Sequence, residues 1–385
     1  MPHLFSVSWA VRSQWPRADR PDLRVFVSTK LRHFTWTHIS QSATVDLVTQ
    51  LQDCAPTMRT LKMLELEPVT SKVQERLCRF ICSQPNLHSV HILPLLPSAF
   101  QYLSSLNSLE HLTFQMADID YARILQAPAH TPPFRCLRGL SIITSAHASN
   151  SLISFIKELP RKTLVSFTLT YSSLYCTSPT PPVDRSPRPD AQQLQSLLAV
   201  LATFDSLQSI TLQQRRSAPL SASQMQKYTL CDDDFSPLYA NARLTSLIIA
   251  NIPCEVSPAA LETMARAWPA LRELSLGLLR DYSRAVARSS PLTLEDLLPL
   301  CTQHETLEQL GVVIRPSETN GEFSWPGPAS SLKQLRLQVT EVMFAHLIGG
   351  LHMRHILQTV FPRTEVKWVS SMIIGDLSHV RLGER

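Results

Sequence analysis

Arg32, Arg59, Arg138 and Arg272 stand at equivalent places in a recurring pattern, and His33, His91 and His111 lie close beside them in it. Imidazoles brought together could ligate a metal, and guanidiniums in a row could clasp carboxylates or phosphates. For a metal the set is poor, because no cysteine or carboxylate occupies a matched position beside the histidines. His352 and His355, with His346 nearby, have an i, i+3 spacing in a helix-like segment. No HExxH and no paired acid accompany them, so they read as surface or helix-end histidines. Asp232-Asp233-Asp234 lacks the spaced ligands of a calcium loop and reads as an acidic solvated loop.

Signatures of catalysis are absent. The chain contains no GxSxG, GxGxxG or GxxxxGK[ST], and its nine glycines offer little material for phosphate-cradling loops. Eight cysteines are scattered without a CxxC pair, and Cys78 and Cys82 sit four apart in a helix-like stretch where buried thiols are expected. The expectation is no catalytic residue, no cofactor and no metal. What remains is recognition: Arg32, Arg59, Arg138, Arg272 and Lys333, with Glu110 and Glu308 opposing them, form a charged row beside a polar face.

These residues are positioned by one repeated element. Leucine, two variable residues, an apolar residue, one variable residue and another apolar residue recur at Leu31-Phe34-Trp36, Leu87-Val90-Ile92, Leu109-Leu112-Phe114, Leu137-Leu140-Ile142 and Leu164-Phe167-Leu169. The series continues at Leu207-Ile210-Leu212, Leu244-Leu247-Ile249, Leu271-Leu274-Leu276, Leu307-Leu310-Val312 and Leu332-Leu335-Leu337. Near residue 60 two registers fit, and Met58-Leu61-Met63 is preferred over Leu61-Leu64-Leu66. The anchors are mostly about 22 to 30 residues apart, near the leucine-rich-repeat period.

Helical periodicity fills the intervals. Ser71 to Ser83, Ser151 to Leu159, Asp190 to Phe204, Ser257 to Trp268, Leu294 to Cys301 and Leu347 to Phe361 each place apolar residues on one face. Ser257-Pro258 opens its helix with a cap and a proline, and Pro269 stops it. Strand then helix, repeated, implies an α/β fold: an irregular leucine-rich-repeat solenoid, or horseshoe, with parallel strands on the concave face and helices on the convex face. A conventional mixed α/β domain is the alternative.

Period-two alternation turns the variable residues of each strand outward in two columns. One runs through His33, Thr60, Ser89, His111, Gly139 and Ser166 to Glu273 and Gln334. The other runs through Thr35, Lys62, His91, Thr113, Ser141 and Thr168 to Arg336. Small hydroxylic side chains dominate the middle, with bulk and charge toward the ends. Arg32, His33, Arg59, His91, His111, Arg138, Arg272, Glu273, Lys333 and Arg336 are the candidate partner-binding residues.

The stretches Cys54-Ala-Pro-Thr-Met-Arg-Thr-Leu61, Ser105-Leu-Asn-Ser-Leu-Glu-His-Leu112 and Trp268-Pro-Ala-Leu-Arg-Glu-Leu-Ser-Leu276 resemble irregular repeats of fungal F-box/leucine-rich-repeat proteins. The resemblance covers roughly Leu31 to Val369. It implies a substrate receptor of a ubiquitin-ligase adaptor, with the repeats binding the substrate and an F-box recruiting the ligase core's linker protein. Two departures stand out. No LPxE-type opening of an F-box precedes Leu31, so the linker protein is a partner only if an F-box lies upstream. The asparagine or cysteine of the standard repeat is replaced by Ala117, Ser145, Ser172, Arg215, Ile252 and Leu279, so an asparagine ladder cannot form there and the array should be irregular.

Residues 1–24 are read as an N-terminal extension, either a remnant or a truncated start, and residues 25–369 as the array. Insertions are expected at about 171–190, 213–243 and 315–330, and a tail or cap at 370–385. Ser178-Pro179, Thr180-Pro181 and Ser186-Pro187 lie in the first insertion and could accept proline-directed phosphorylation. The net charge of +5 is too mild and too little interleaved with aromatics to point to nucleic acid. No apolar run approaches membrane-span length. With no N-x-[ST] sequon, a cytoplasmic or nuclear location is expected. The expected function is a non-catalytic protein-interaction scaffold, with a stand-alone scaffold lacking any ligase link, or an α/β enzyme, as alternatives.

Overall fold

The structure, a computed structural model, describes residues 5–10, 30–39, 48, 51, 58–66, 71–92, 95–116, 121–126, 132–144, 149–172, 190–215, 227–278, 292–293, 295–297, 300–301, 304–314, 332–339 and 364–368. It is a mixed α/β protein whose chain divides into two compact units, Met1–Pro181 with Thr203–Leu207, and Pro182–Ala202 with Gln208–Arg385.

The first unit holds seven strands: β1 (Ser6–Ala10), β2 (His33–Ile39), β3 (Thr60–Leu66), β4 (Ser89–Ile92), β5 (His111–Gln115), β6 (Gly139–Thr144) and β7 (Ser166–Ser172). They pair in chain order and every pairing is parallel. Each strand begins two residues after its anchor. Anchors Leu31, Met58, Leu87, Leu109, Leu137 and Leu164 are buried, as are the apolar residues that follow them. At β3 the buried set is Met58, Leu61 and Met63, so the first of the two possible registers is the one adopted. The peptide after each anchor ties the repeats together: the Arg32 carbonyl accepts from the N–H groups of Arg59 and Thr60, at 2.8 and 2.9 Å. His88, Glu110, Arg138 and Val165 continue this row, each amide bonding the carbonyl one strand earlier at 2.7–2.8 Å.

β1 lies in the stretch read from sequence as an extension. It pairs with β2, Ser6 opposite His33, and its apolar Val7 is buried. Leu4-Phe-Ser-Val7-Ser-Trp9 follows the same spacing as the other motifs, so the parallel sheet includes one strand before the first motif of the sequence reading.

The helices supply the layer that buries the anchors. Ser71–Cys82 buries Leu77, Phe80 and Ile81, and Ser149–Lys157 buries Leu152, Phe155 and Ile156. A helix at Pro97–Ser105, absent from the sequence reading, carries the centre of the first core. Its Phe100 ring meets Phe114, Tyr121, Phe134 and Phe155 at centroid distances of 5.3, 4.8, 5.4 and 5.6 Å, all five side chains being fully buried. Edge-to-face packing of this kind suits the ring quadrupoles.

The second unit holds β8 (Ser209–Arg215), β10 (Ser246–Ala250), β12 (Glu273–Leu278), β13 (Gln309–Ile314), β14 (Gln334–Val339) and β15 (Glu365–Trp368), again parallel and in that order. A separate two-stranded pair joins β9 (Leu230–Cys231) to β11 (Cys254–Glu255). Helices at Ala191–Leu201 and Pro258–Ala267 start at Asp190 and Ser257, whose side chains accept the backbone N–H of Gln193 and Ala260. The Asp190–Gln193 pair is a reciprocal capping box, which fixes the helix start chemically.

Within the stretch expected as the insertion 213–243, residues 227–243 are not plain loop. Leu230–Cys231 is a strand, Asp232–Phe235 a helical turn and Ser236–Ala240 a 3-10 turn, with Leu230, Phe235 and Leu238 buried. The acidic triplet is therefore structural in part. Asp232 accepts the Ser257 N–H at 2.8 Å and its hydroxyl at 2.5 Å, and Asp234 accepts the Cys231 N–H at 2.7 Å.

At the position where a repeat asparagine was found missing, the neighbouring Asn251 substitutes. It adopts a left-handed backbone, φ 59°, and its side-chain amide donates to the Gln214 carbonyl at 2.9 Å. Hydroxyls before the anchors act similarly, Ser108 donating to the Leu87 carbonyl and Thr306 to that of Leu271, each at 2.8 Å. Gly277 (φ 70°) sits where the β10–β12 register shifts, and a Cβ there would come within 3.1 Å of the Cys254 backbone nitrogen. Among the described residues no helix is long and apolar enough to cross a membrane.

Candidate interaction surface

Parallel pairing without a shift keeps equivalent residues abreast in the first unit. Ser6, His33, Thr60, Ser89, His111, Gly139 and Ser166 are successive partners, and so are Ser8, Thr35, Lys62, His91, Thr113, Ser141 and Thr168. Their neighbours along each strand are buried, so these two columns form the open side of the sheet. His33, Lys62 and His111 are exposed, whereas the hydroxyl residues between them are half-buried. The His33 Nδ1 lies 3.0 Å from the Thr60 hydroxyl. The His111 ring lies across Gly139, where a Cβ would collide with it. Glycine leaves room there for the imidazole of the preceding strand, and a larger residue would have to displace that exposed ring.

Arg32, Arg59 and Arg138 form the rim at the strand entrances, and all three are exposed. The Arg32 guanidinium stands 5.7 Å from the ring centroid of Phe5, which is the equivalent rim residue of β1. Phe5 is 47% exposed and is the one exposed large hydrophobic side chain among the described residues. Arg59 and Arg138 form no ion pair with any described residue, and Glu110 between them is half-buried. Planar guanidiniums in this state offer unused forked donors.

The second unit places Arg272 and Lys333 on its rim, and Glu273 and Arg336 on its open face. Here the charges are consumed internally. Glu308 receives Arg272 Nη2 at 2.5 Å and Lys333 Nζ at 3.0 Å, and these two contacts hold its carboxyl below the usual carboxylate range. Glu273 accepts the Ser246 hydroxyl at 3.1 Å. Gln334 donates to Glu365 at 2.9 Å while its own carbonyl accepts Arg336 at 3.2 Å. Gly311 interrupts the column, and the Leu278 side chain leans over it.

The ten candidates thus fall into two groups: Arg32, His33, Arg59, His91, His111 and Arg138 in the first unit, and Arg272, Glu273, Lys333 and Arg336 in the second. His33 and His111 share a column, whereas His91 lies in the other one. Among the described residues no group of three His, Cys, Asp or Glu is placed to hold a metal ion. Lys62, read from the sequence as a column residue but not among the ten, belongs to the first group as well, and so does Phe5, which escaped the sequence reading because its motif was taken for an extension. His346, His352, His355, Ser178, Thr180, Ser186, the insertion at 315–330 and the tail at 370–385 lie outside the described residues.

Nucleophile chemistry finds little support in the thiols. Burial, with Cys78 alongside, pushes Cys82 up to about 11, and burial alone pushes Cys301 up to about 12. Cys254 and Cys231 are raised as well, first by burial and then by neighbouring ionisable groups. An activated cysteine needs the opposite shift. No family model matches the chain, and no curated protein matches it.

Proposed function

We propose that the chain is a non-catalytic protein-interaction scaffold of leucine-rich-repeat type, and that the open face of its parallel strands holds the partner. The observation that supports this most is the register of the first unit. Seven strands keep two unbroken columns of polar, mostly small side chains abreast, while every second residue is committed to the core. Stacked repeats of this kind offer extended surfaces built for binding. In the F-box setting that the sequence resembles, the same face would receive the substrate of a ubiquitin-ligase adaptor. The described cysteines are all free, in keeping with a reducing cytoplasmic or nuclear setting.

The test is affinity purification of the tagged full chain from its source cells, beside two variants. Thr113→Arg with Thr168→Arg fills the face, and Gln192→Arg with Ser196→Arg alters an exposed helix. Proteins recovered with the wild type and the helix variant, but lost from the face variant, are the expected result. Equal recovery by all three overturns the assignment. Recovery of the ligase linker protein would mark the adaptor role, and its repeated absence would leave a stand-alone scaffold.

A further inference from the structure

We infer that the rim of the first unit, from Phe5 through Arg32 and Arg59 to Arg138, docks an acidic extended segment of a partner protein. This inference rests on the scaffold reading and names the chemistry of its partner. Three features converge. Arg32, Arg59 and Arg138 are exposed, and two of them lack any acidic partner among the described residues, whereas the comparable cations Arg272 and Lys333 both pair with Glu308. Lys62 adds an exposed cation one column inward. Phe5, exposed and stacked against Arg32, gives the row an aromatic end. Arginine and aromatic side chains are the residue types that concentrate binding energy at protein interfaces.

The spacing fits an extended peptide. Adjacent strands lie about 4.8 Å apart, so the four strand steps from Arg32 to Arg138 span about 19 Å. An extended chain covers that in about six residues. Its carboxylates would meet Arg32 and Arg59 near one end and Arg138 at the other. Glu110 leaves one intervening place for a neutral or basic residue, and an apolar side chain packs on Phe5. Single-stranded nucleic acid fits less well, because base stacking needs several exposed aromatics and the described face offers one at its edge.

The experiment is fluorescence anisotropy with the full chain and three labelled probes: a 12-residue peptide rich in Asp and Glu with one Phe, a Lys-rich peptide of equal length, and a 12-nucleotide single-stranded RNA. Binding of the acidic peptide is expected, weakened at least tenfold by R32E/R59E/R138E and changed less than twofold by K72E/R79E/K157E, which reverses three exposed helix charges in the same unit. Should the first triple variant lose its far-UV signature or its melting transition, the neutral set R32Q/R59Q/R138Q replaces it, with a several-fold loss expected. F5S should weaken binding about threefold. Tighter binding of RNA than of peptide, equal losses in both triple variants, or no binding of the acidic peptide each overturns the inference. If the face variant still loses cellular partners while the acidic peptide fails to bind, the scaffold reading survives and only the acidic partner falls.

Discussion

Asp232 and Ser257, 25 positions apart in sequence, are joined by two hydrogen bonds. The Asp232 carboxylate accepts both the N–H and the hydroxyl of Ser257, while the Ser257 oxygen accepts the Ala260 N–H at 3.2 Å. A charge-assisted pair thereby orients the cap of the helix Pro258–Ala267 and ties the acidic turn to it. Replacing Asp232 with alanine should cost about 2 kcal/mol, since hydrogen bonds to charged groups contribute about 1.5–3 kcal/mol. Asp233→Ala should leave the urea midpoint nearly unchanged, because the side chain is exposed. Equal midpoints for both variants would refute the assigned role of Asp232.

Phe100 is the second probe of the core. Its ring touches four other buried aromatics, so Phe100→Ala leaves a cavity that the rigid surround cannot close. A loss of about 3–5 kcal/mol is expected in equilibrium denaturation of the full chain. A loss under 1 kcal/mol would mean that the cluster is looser than described.

His304 should set an acid limit on stability. Burial holds its imidazole below the ordinary histidine value, with the Ala265 backbone bond opposing that shift. The unfolded chain therefore takes up the proton first as pH falls. Stability from this site is present above the ordinary value of about 6.5 and is lost as pH drops through the lower folded value. Denaturation midpoints at pH 7.5, 6.5 and 5.5 should decline in the wild type, and less steeply in His304→Gln. Parallel declines would assign the acid sensitivity elsewhere.

Glu308 is expected to behave in the opposite sense to its prominence. Its pKa is lowered by Lys333 and Arg272, so its contribution is present above the usual carboxylate range and lost as pH falls below it. The group is solvated, and exposed ion pairs are screened by salt. Glu308→Gln should therefore shift the melting temperature slightly at low salt and not at all in 1 M NaCl. A large shift that persists in salt would contradict a solvated pair.

Two glycines should respond differently to alanine. Gly277 has φ 70° and meets Cys254 backbone, so Gly277→Ala should cost about 1–2 kcal/mol. Gly139 faces side-chain atoms, an exposed imidazole and the Ser166 hydroxyl, rather than backbone, so Gly139→Ala should change stability by about 0.5 kcal/mol or less and shift the His111 ring resonances. The reverse order of costs would overturn this account of both sites.

Much of the array was readable from the residues. Anchor spacing located the strands from β2 to β8 together with β10, β12, β13 and β14, because an inward apolar residue at every second position is a local requirement of a half-buried strand. Asp190 and Ser257 marked helix starts for a similarly local reason, the side chain reaching an N–H three residues on. The helix Pro97–Ser105 was missed although Ala99, Phe100 and Leu103 share its buried face, because Pro94 and Pro97 punctuate the stretch as they would a loop. β1 was missed because residues 1–24 were read as an extension and its short motif was not counted in the series. The two polar columns were legible as columns, but the pairing of the rim charges was not: Arg272 and Lys333 meet Glu308, whereas Arg59 and Arg138 have no acidic partner among the described residues.

The sequence by itself determined the repeat, the inward residues and the polar face, because these follow from periodicities of two and 3.6 within a few neighbouring residues. Tertiary structure alone decided which charges are spent. Arg272, Glu308 and Lys333 meet only because parallel pairing sets three distant strands abreast, and Asp232 becomes a helix support only when Ser257 is brought to it. Such contacts depend on distances that close across 25 to 36 residues, and no local pattern in the chain encodes them.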